Sequence, residues 1–179
     1  LDGDVTIIGH LIDNQGSISA NGKVSITAGE EILLKPNEKS LIIRSNGKIS
    51  NSGEIKALIA ELQSDGAYSQ GINITGSVLA LNSIEENGRI YLKSDSINIS
   101  GDLKSQNILI ENSSKNIQIN GTLTSNQLSI KSDSILYQTG TITSNEVNIT
   151  TTKLINGGNI NAEKVFIHTD GPYIETSQS

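Results

Sequence analysis

Gly101-Asp-Leu-Lys-Ser-Gln-Asn-Ile-Leu-Ile110, Gly121-Thr-Leu-Thr-Ser-Asn-Gln-Leu-Ser-Ile130, Gly140-Thr-Ile-Thr-Ser-Asn-Glu-Val-Asn-Ile149 and Gly158-Asn-Ile-Asn-Ala-Glu-Lys-Val-Phe-Ile167 are four copies of one phrase. Their glycines stand 20, 19 and 18 residues apart. A repeat of that length, built from short alternating strands, is one coil of a solenoid. The phrase recurs earlier with drift, at Gly16-Ser-Ile-Ser-Ala20, Gly53-Glu-Ile-Lys-Ala57 and Gly76-Ser-Val-Leu-Ala80. Lys93-Ser-Asp-Ser-Ile97 returns as Lys131-Ser-Asp-Ser-Ile135, two periods later.

Within each phrase the aliphatics alternate with Thr, Ser, Asn, Asp and Lys, so one set points inward and the other outward. No stretch carries apolar residues at helical spacing, and almost no helix is expected. The glycine opening each phrase marks a backbone corner that needs either positive φ or close approach. Asn-Gly pairs at Asn21, Asn46, Asn87, Asn120 and Asn156 supply turn chemistry at the joints. Two or three strands between such corners make a triangular coil. The predicted fold is therefore all-β, a right-handed parallel β-helix with a period near 19 residues. The 37 residues from Gly16 to Gly53 are read as two periods, with a coil built on Leu33-Leu34 and Leu41-Ile42-Ile43 between them. That gives about nine coils, in a rod some 40 Å long.

Composition fits a narrow aliphatic core. Aromatic residues are 3% of the 179, and Trp, Met and Cys are absent. A globular core of this size uses aromatics to fill its centre, whereas Ile, Leu and Val suffice for a stack. The net charge of −6 disfavours nucleic acid or an anionic membrane as partner. No apolar run reaches the ~20 residues of a membrane span. Without Cys the familiar zinc sites are excluded, and no phosphate loop, nucleophile elbow or calcium-roll repeat is present. No cofactor is expected.

The whole chain, 1–179, is read as a single β-helix segment, and the tail from His168 to Ile174 starts a further coil, as in a piece of a longer array. Three departures from the period, near 30–40, 63–70 and 82–88, are expected to project from the shaft. Loops on a rigid scaffold are the usual place for recognition, so Tyr68, Glu85, Glu86 and Tyr91 are the candidate partner contacts. His10 and His168 fall near opposite ends of the rod and cannot share a site. Asp95 and Asp133 occupy equivalent points two coils apart, ~10 Å along the axis, a spacing that an inverting glycosidase could use. Each lies in a Ser-Asp-Ser turn, where a structural role is the simpler reading. Thr122-Leu-Thr124 and Thr141-Ile-Thr143 form a Thr-x-Thr ladder only two coils deep.

Asp65-Gly-Ala-Tyr-Ser-Gln-Gly-Ile-Asn-Ile-Thr-Gly-Ser-Val-Leu-Ala80, Asn87-Gly-Arg-Ile-Tyr-Leu92, Asn14-Gln-Gly-Ser-Ile-Ser-Ala20 and Asn51-Ser-Gly-Glu-Ile-Lys-Ala57 resemble the filamentous-haemagglutinin family over most of residues 10–167. These are large exoproteins of Gram-negative bacteria exported by two-partner secretion. The resemblance implies a β-helical shaft on a secreted or cell-surface adhesin, whose export partner is an outer-membrane transporter of the two-partner type. It implies a non-enzymatic, monomeric rod that presents or contributes to a region binding a host receptor or glycan. The family's export-recognition motifs are not seen here. The rival expectations are a glycan-binding or glycan-cleaving β-helix and a purely structural surface or fibre protein.

Overall fold

The computed structural model describes residues 3–33, 41–44, 46–65, 71–80 and 87–176. Among them there is no helix, and the strands wind into a parallel solenoid of about seven turns. The first turn is β1 (Val5–Gly9), β2 (Leu11–Asn14) and β3 (Ser17–Ser19). β4 (Lys23–Ala28) opens the second, which breaks off into a hairpin, β5 (Glu31–Leu33) and β6 (Leu41–Arg44), and resumes with β7 (Lys48–Asn51) and β8 (Glu54–Ala57). The third is β9 (Ile59–Ser64), β10 (Ile72–Ile74) and β11 (Ser77–Ala80). The fourth is β12 (Arg89–Ser94), β13 (Ile97–Ile99) and β14 (Asp102–Lys104). The fifth is β15 (Asn107–Asn112), β16 (Ile117–Ile119) and β17 (Thr122–Thr124). Beyond it the strands run on around the corners as β18 (Gln127–Gln138), β19 (Thr141–Asn156) and β20 (Asn159–Thr169), and β21 (Tyr173–Glu175) lies in the last, partial turn.

Apart from β5 and β6, the strands pair in parallel with their equivalents on adjoining turns, which creates three faces. Face one stacks β1, β4, β9, β12, β15 and the matching parts of β18, β19 and β20. Face two begins with β2 on β7, and face three with β3 on β8. In-register pairing puts like over like: Ile90, Ile108, Leu128 and Val147 form one inward column, and Leu92, Ile110, Ile130 and Ile149 the next. All eight are essentially inaccessible to solvent. A turn's few aliphatics cannot offset the entropy of ordering its backbone by themselves, so the continuous column is what holds each turn in place.

The turn count corrects the expected nine. Leu34 lies outside the described residues, and the rest of the expected coil is not one: β5, with Leu33, and β6, with Leu41-Ile42-Ile43, pair antiparallel with each other, and β7 and β8 pair directly with β2 and β3. The 37-residue interval is one turn carrying an excursion. The chain leaves the stack after Ala28 and returns at Asn46-Gly47, where Asn46 adopts φ 95°. That left-handed corner is one that Asn tolerates better than most residues. At the strand spacing, eight levels on face one span roughly 34 Å, shorter than the rod first expected.

The corners use three different chemistries. Between faces two and three stand Gly16, Gly53, Gly76, Gly101, Gly121, Gly140 and Gly158, one above another. A Cβ added to any of the last six would lie 1.8–2.2 Å from the carbonyl oxygen of the glycine before it. None of the seven has positive φ, so close backbone approach alone explains the repeat. The same carbonyls accept the ladder: Thr122 N–H donates to Gly101 O at 3.1 Å, and Thr141 N–H to Gly121 O at 3.0 Å.

Between faces one and two the inward corner column is polar: Ser64, Ser94, Asn112, Ser132 and Thr151, all buried. Their side chains bind backbone at the turn. Ser64 Oγ donates to Gly47 O at 2.6 Å, Thr151 Oγ1 donates to Ser134 O at 2.7 Å, and Ser132 Oγ accepts from Ser134 N–H at 3.2 Å. Asn112 Nδ2 donates to Asp95 O, and its Oδ1 accepts from Ser132 Oγ at 2.9 Å. In the two Ser-Asp-Ser motifs, then, it is the first serine that braces the turn from inside. The third corner column is small: Ala20, Ala57, Ala80, Ser105, Ser125 and Ser144.

Candidate functional site

Of the four candidate contacts, Tyr68, Glu85 and Glu86 lie outside the described residues. Tyr91 is described. The strand alternation points it outward from face one, yet it is only 8% exposed, and its outward neighbour Glu61 (7%) on the preceding turn is covered as well. Glu61 is clamped from both sides along the axis. Lys23 Nζ approaches Glu61 Oε2 at 2.6 Å from the turn before, and Arg89 Nη2 approaches Glu61 Oε1 at 3.4 Å from the turn after. Tyr91 O–H donates to Glu111 Oε2 at 2.7 Å one turn further on. Burial, then the hydrogen bond to Glu111 and the charges of Glu111 and Glu61, hold the phenol above its ordinary pKa. Its hydroxyl stays protonated at physiological pH and serves as a donor.

This cluster ties successive turns together on the outside as the aliphatic columns do inside. Removing the hydroxyl in Tyr91→Phe leaves Glu111 without that donor. The variant is expected to lose about 1–2 kcal/mol, read as a lower urea midpoint at unchanged slope.

A second titratable cluster lies outside the corner between faces one and two. Register carries Asp95, Ser113 and Asp133 into one column, since Ser94 pairs with Asn112 and Asn112 with Ser132. The two aspartates are two turns apart as expected. Ser113 stands between them and donates to Asp95 Oδ1 at 2.8 Å. The nearer partner of Asp95 is one the sequence reading passed over, Asp65 on the preceding turn. Partial burial raises the pKa of Asp65, and the Asp95 charge and a hydrogen bond shared with it raise it further, against an opposing effect of Lys93.

The sign of the linkage follows. An unfolded aspartate ionises near pH 3.9. Asp65 contributes its full share of stability below that value and loses it as pH rises through the elevated folded value. Asp65→Asn is therefore expected to raise the melting temperature at pH 7, and to give no gain once both forms are uncharged near pH 3. Thermal melts of the two proteins across that range measure the difference.

His10 and His168 are exposed and belong to the first and last turns, so no site joins them. His168 Nε2 is 3.4 Å from Asp170 Oδ1, with both side chains largely in solvent. Thr122 and Thr124 pair with Thr141 and Thr143, and the ladder ends at Asp102 and Lys104 on one side and Asn159 and Asn161 on the other. Among the described residues no group of three or more acidic or histidine side chains is arranged to hold a metal ion, and no helix is long and apolar enough to cross a membrane.

Two open grooves follow corners of the stack. One, of about 800 Å³, runs along the glycine column, where missing side chains leave a channel between Thr122, Thr141 and Asn159 on one bank and Asn120, Thr139 and Asn156 on the other. The other, of about 300 Å³, runs along the corner between faces three and one and is lined by paired amides, among them Gln106, Asn107, Asn126 and Gln127. Comparison with protein-family models, with curated proteins and with solved structures finds no match to this chain.

Proposed function

We propose that this chain is a non-enzymatic shaft segment of a secreted, adhesin-like bacterial exoprotein of the filamentous-haemagglutinin type. The observation that carries the mechanical part is the coil-on-coil stack: parallel ladders on all three faces over one aliphatic column. Such a rod resists bending, because every turn is held to its neighbours by ladder hydrogen bonds and buried side chains at once. Its role is to hold a binding region away from the cell, with a host receptor or glycan as the partner of the assembly. The dispersal of its titratable groups favours this reading over catalysis. The histidines sit on opposite end turns, and Asp95 and Asp133 each lie in a Ser-Asp-Ser turn whose first serine accepts a backbone N–H of the same turn.

The resemblance supplies the location. The phrases Asn14–Ala20 and Asn51–Ala57 carry it, and their strands β3 and β8 stack directly. Export would proceed through an outer-membrane transporter of the two-partner type, with the chain folding turn by turn outside the cell. The test places the chain behind a two-partner export leader in a Gram-negative host, with and without the cognate transporter. Surface exposure of a protease-resistant chain only when the transporter is present is the expected result. Retention in the periplasm with the transporter present would overturn the export reading. Release of reducing ends from polysaccharides by the purified chain would overturn the non-enzymatic one.

A further inference from the structure

The repeat phrase contains a feature that the shaft role leaves unused. After the small corner residue, successive turns read Gln106-Asn107, Asn126-Gln127 and Asn145-Glu146, followed by Glu163-Lys164. Register stacks them: Asn107 pairs with Gln127, Gln127 with Glu146, and Glu146 with Lys164. The result is a groove of about 300 Å³ along the corner between faces three and one.

Several amides elsewhere on this molecule are spent on the structure. Asn98 Nδ2 donates to Asn73 Oδ1 at 2.7 Å, Asn14 Nδ2 to Asn51 Oδ1 at 2.6 Å, and Thr139 Oγ1 to Asn120 Oδ1 at 2.5 Å. In the groove, the side chains of Gln106, Asn107, Asn126, Gln127 and Asn145 make no such bond among the described residues. Their backbone is already committed: Asn126 and Gln127 N–H both donate to Gln106 O at 2.9 Å, and Glu146 N–H to Asn126 O at 3.0 Å. The corner therefore offers side-chain amides and no open strand edge.

We propose that this amide groove is a binding site for an extended, neutral, β-1,4-linked glycan. Each amide presents an acceptor oxygen and two donor hydrogens, which matches hydroxyls that both give and receive. Repetition supplies the second match. The levels recur at the strand spacing of about 4.8 Å, and the rings of an extended β-1,4-linked chain recur at nearly that interval. One hexose per turn can then meet one amide pair. The charges argue against an anionic ligand, since Glu146 and Glu163 face a single Lys164. An apolar peptide finds no aliphatic or aromatic side chain there, and an extended one finds no unpaired backbone. The site does not depend on the export reading, because it uses only the geometry of the corner.

The test titrates the 15N-labelled 179-residue chain with cellotetraose, chitotetraose and isomaltotetraose, following backbone amide resonances. Saturable shifts centred on 106–107, 126–127 and 145–146 with the two β-1,4-linked sugars, and none with the flexible isomaltotetraose, are expected. The triple variant Asn126→Ala, Gln127→Ala, Asn145→Ala should weaken binding about tenfold or more with an unchanged melting curve. Thr122→Ala with Thr141→Ala, on the neighbouring face, should bind as the parent does. Absence of shifts at millimolar sugar, equal response to isomaltotetraose, or a triple variant that binds unchanged would each overturn the proposal. So would a self-association of the chain, seen in sedimentation, that the triple variant abolishes while sugars have no effect.

Discussion

Gly121→Ala is expected to cost about 3–5 kcal/mol, and Gly16→Ala less than about 0.5 kcal/mol, although both replace the same residue of the same repeat. The difference comes from what lies beneath each. A Cβ on Gly121 would sit 2.0 Å from the carbonyl oxygen of Gly101 and 2.7 Å from the backbone carbon of Ser100. Those are main-chain atoms already held in the ladder: Gly101 O accepts from Thr122 N–H, and the N–H groups of Asn120 and Gly121 both donate to Ile99 O. Relief requires the two turns to separate, which breaks these bonds and opens the aliphatic columns beside them. Gly16 belongs to the first turn of the stack, and a Cβ there meets nothing within 4 Å. Urea midpoints of the two variants against the parent give the answer. Equal losses would mean that glycine is needed for backbone freedom and not for close approach.

Much of this architecture is legible in the sequence because a solenoid repeats its physics every turn. Each of the four C-terminal phrases carries the same instructions: a glycine where backbones touch, an alternating aliphatic pair, and a small residue at the next corner. The four confirm one another. The excursion at 29–47 was harder to read. Leu33-Leu34 and Leu41-Ile42-Ile43 have the apolar content of a coil, and an antiparallel hairpin needs the same content, so composition cannot separate them. The missing cue was local. No Gly-x-Ile-x-Ala phrase occurs between Ala20 and Gly53, and a true turn would have needed its own glycine over Gly16.

The sites were less legible, for related reasons. Asp65 was overlooked as the neighbour of Asp95 because residues 66–88 stretch the period between them, and only the pairing of β9 with β12 restores their alignment. Tyr91 is a candidate contact in the sequence beside the loop residues, and its strand alternation turns it outward. That the ring is covered and bonded to Glu111 one turn on comes from contacts between turns, and alternation carries no such information. The amide pairs at 106–107 and 126–127 lay in plain view inside the phrase. Asn and Gln are also ordinary corner residues, so only the register that stacks them turn over turn along one groove marks them out.

The repeat also predicts which pieces of the chain can be removed. Deleting residues 121–139, one whole period, joins Asn120 to Gly140 and should leave a folded solenoid one turn shorter. In that variant Gly140 would rest on Gly101, Ile142 on Leu103, Val147 on Ile108 and Ile149 on Ile110, so every inward column continues. Glu111 and Lys104 would meet Thr150 and Thr143, which introduces no like-charge contact. The loss should be near one turn's share of the total, about 1–3 kcal/mol for 19 residues at the usual stability per residue. Deleting residues 121–129 instead removes about half a period, which puts Ile130 over Gly101 at the glycine corner and Ser132 over Leu103. Leu136 would then stand over Asn107 on the outside, and polar residues would enter the inward columns. That variant should show no cooperative unfolding transition in urea, whereas the whole-turn deletion should keep one, with a scattering profile shortened by about one strand spacing. A half-turn deletion that unfolds as cooperatively as the parent would mean that the turns are not locked in register by their neighbours.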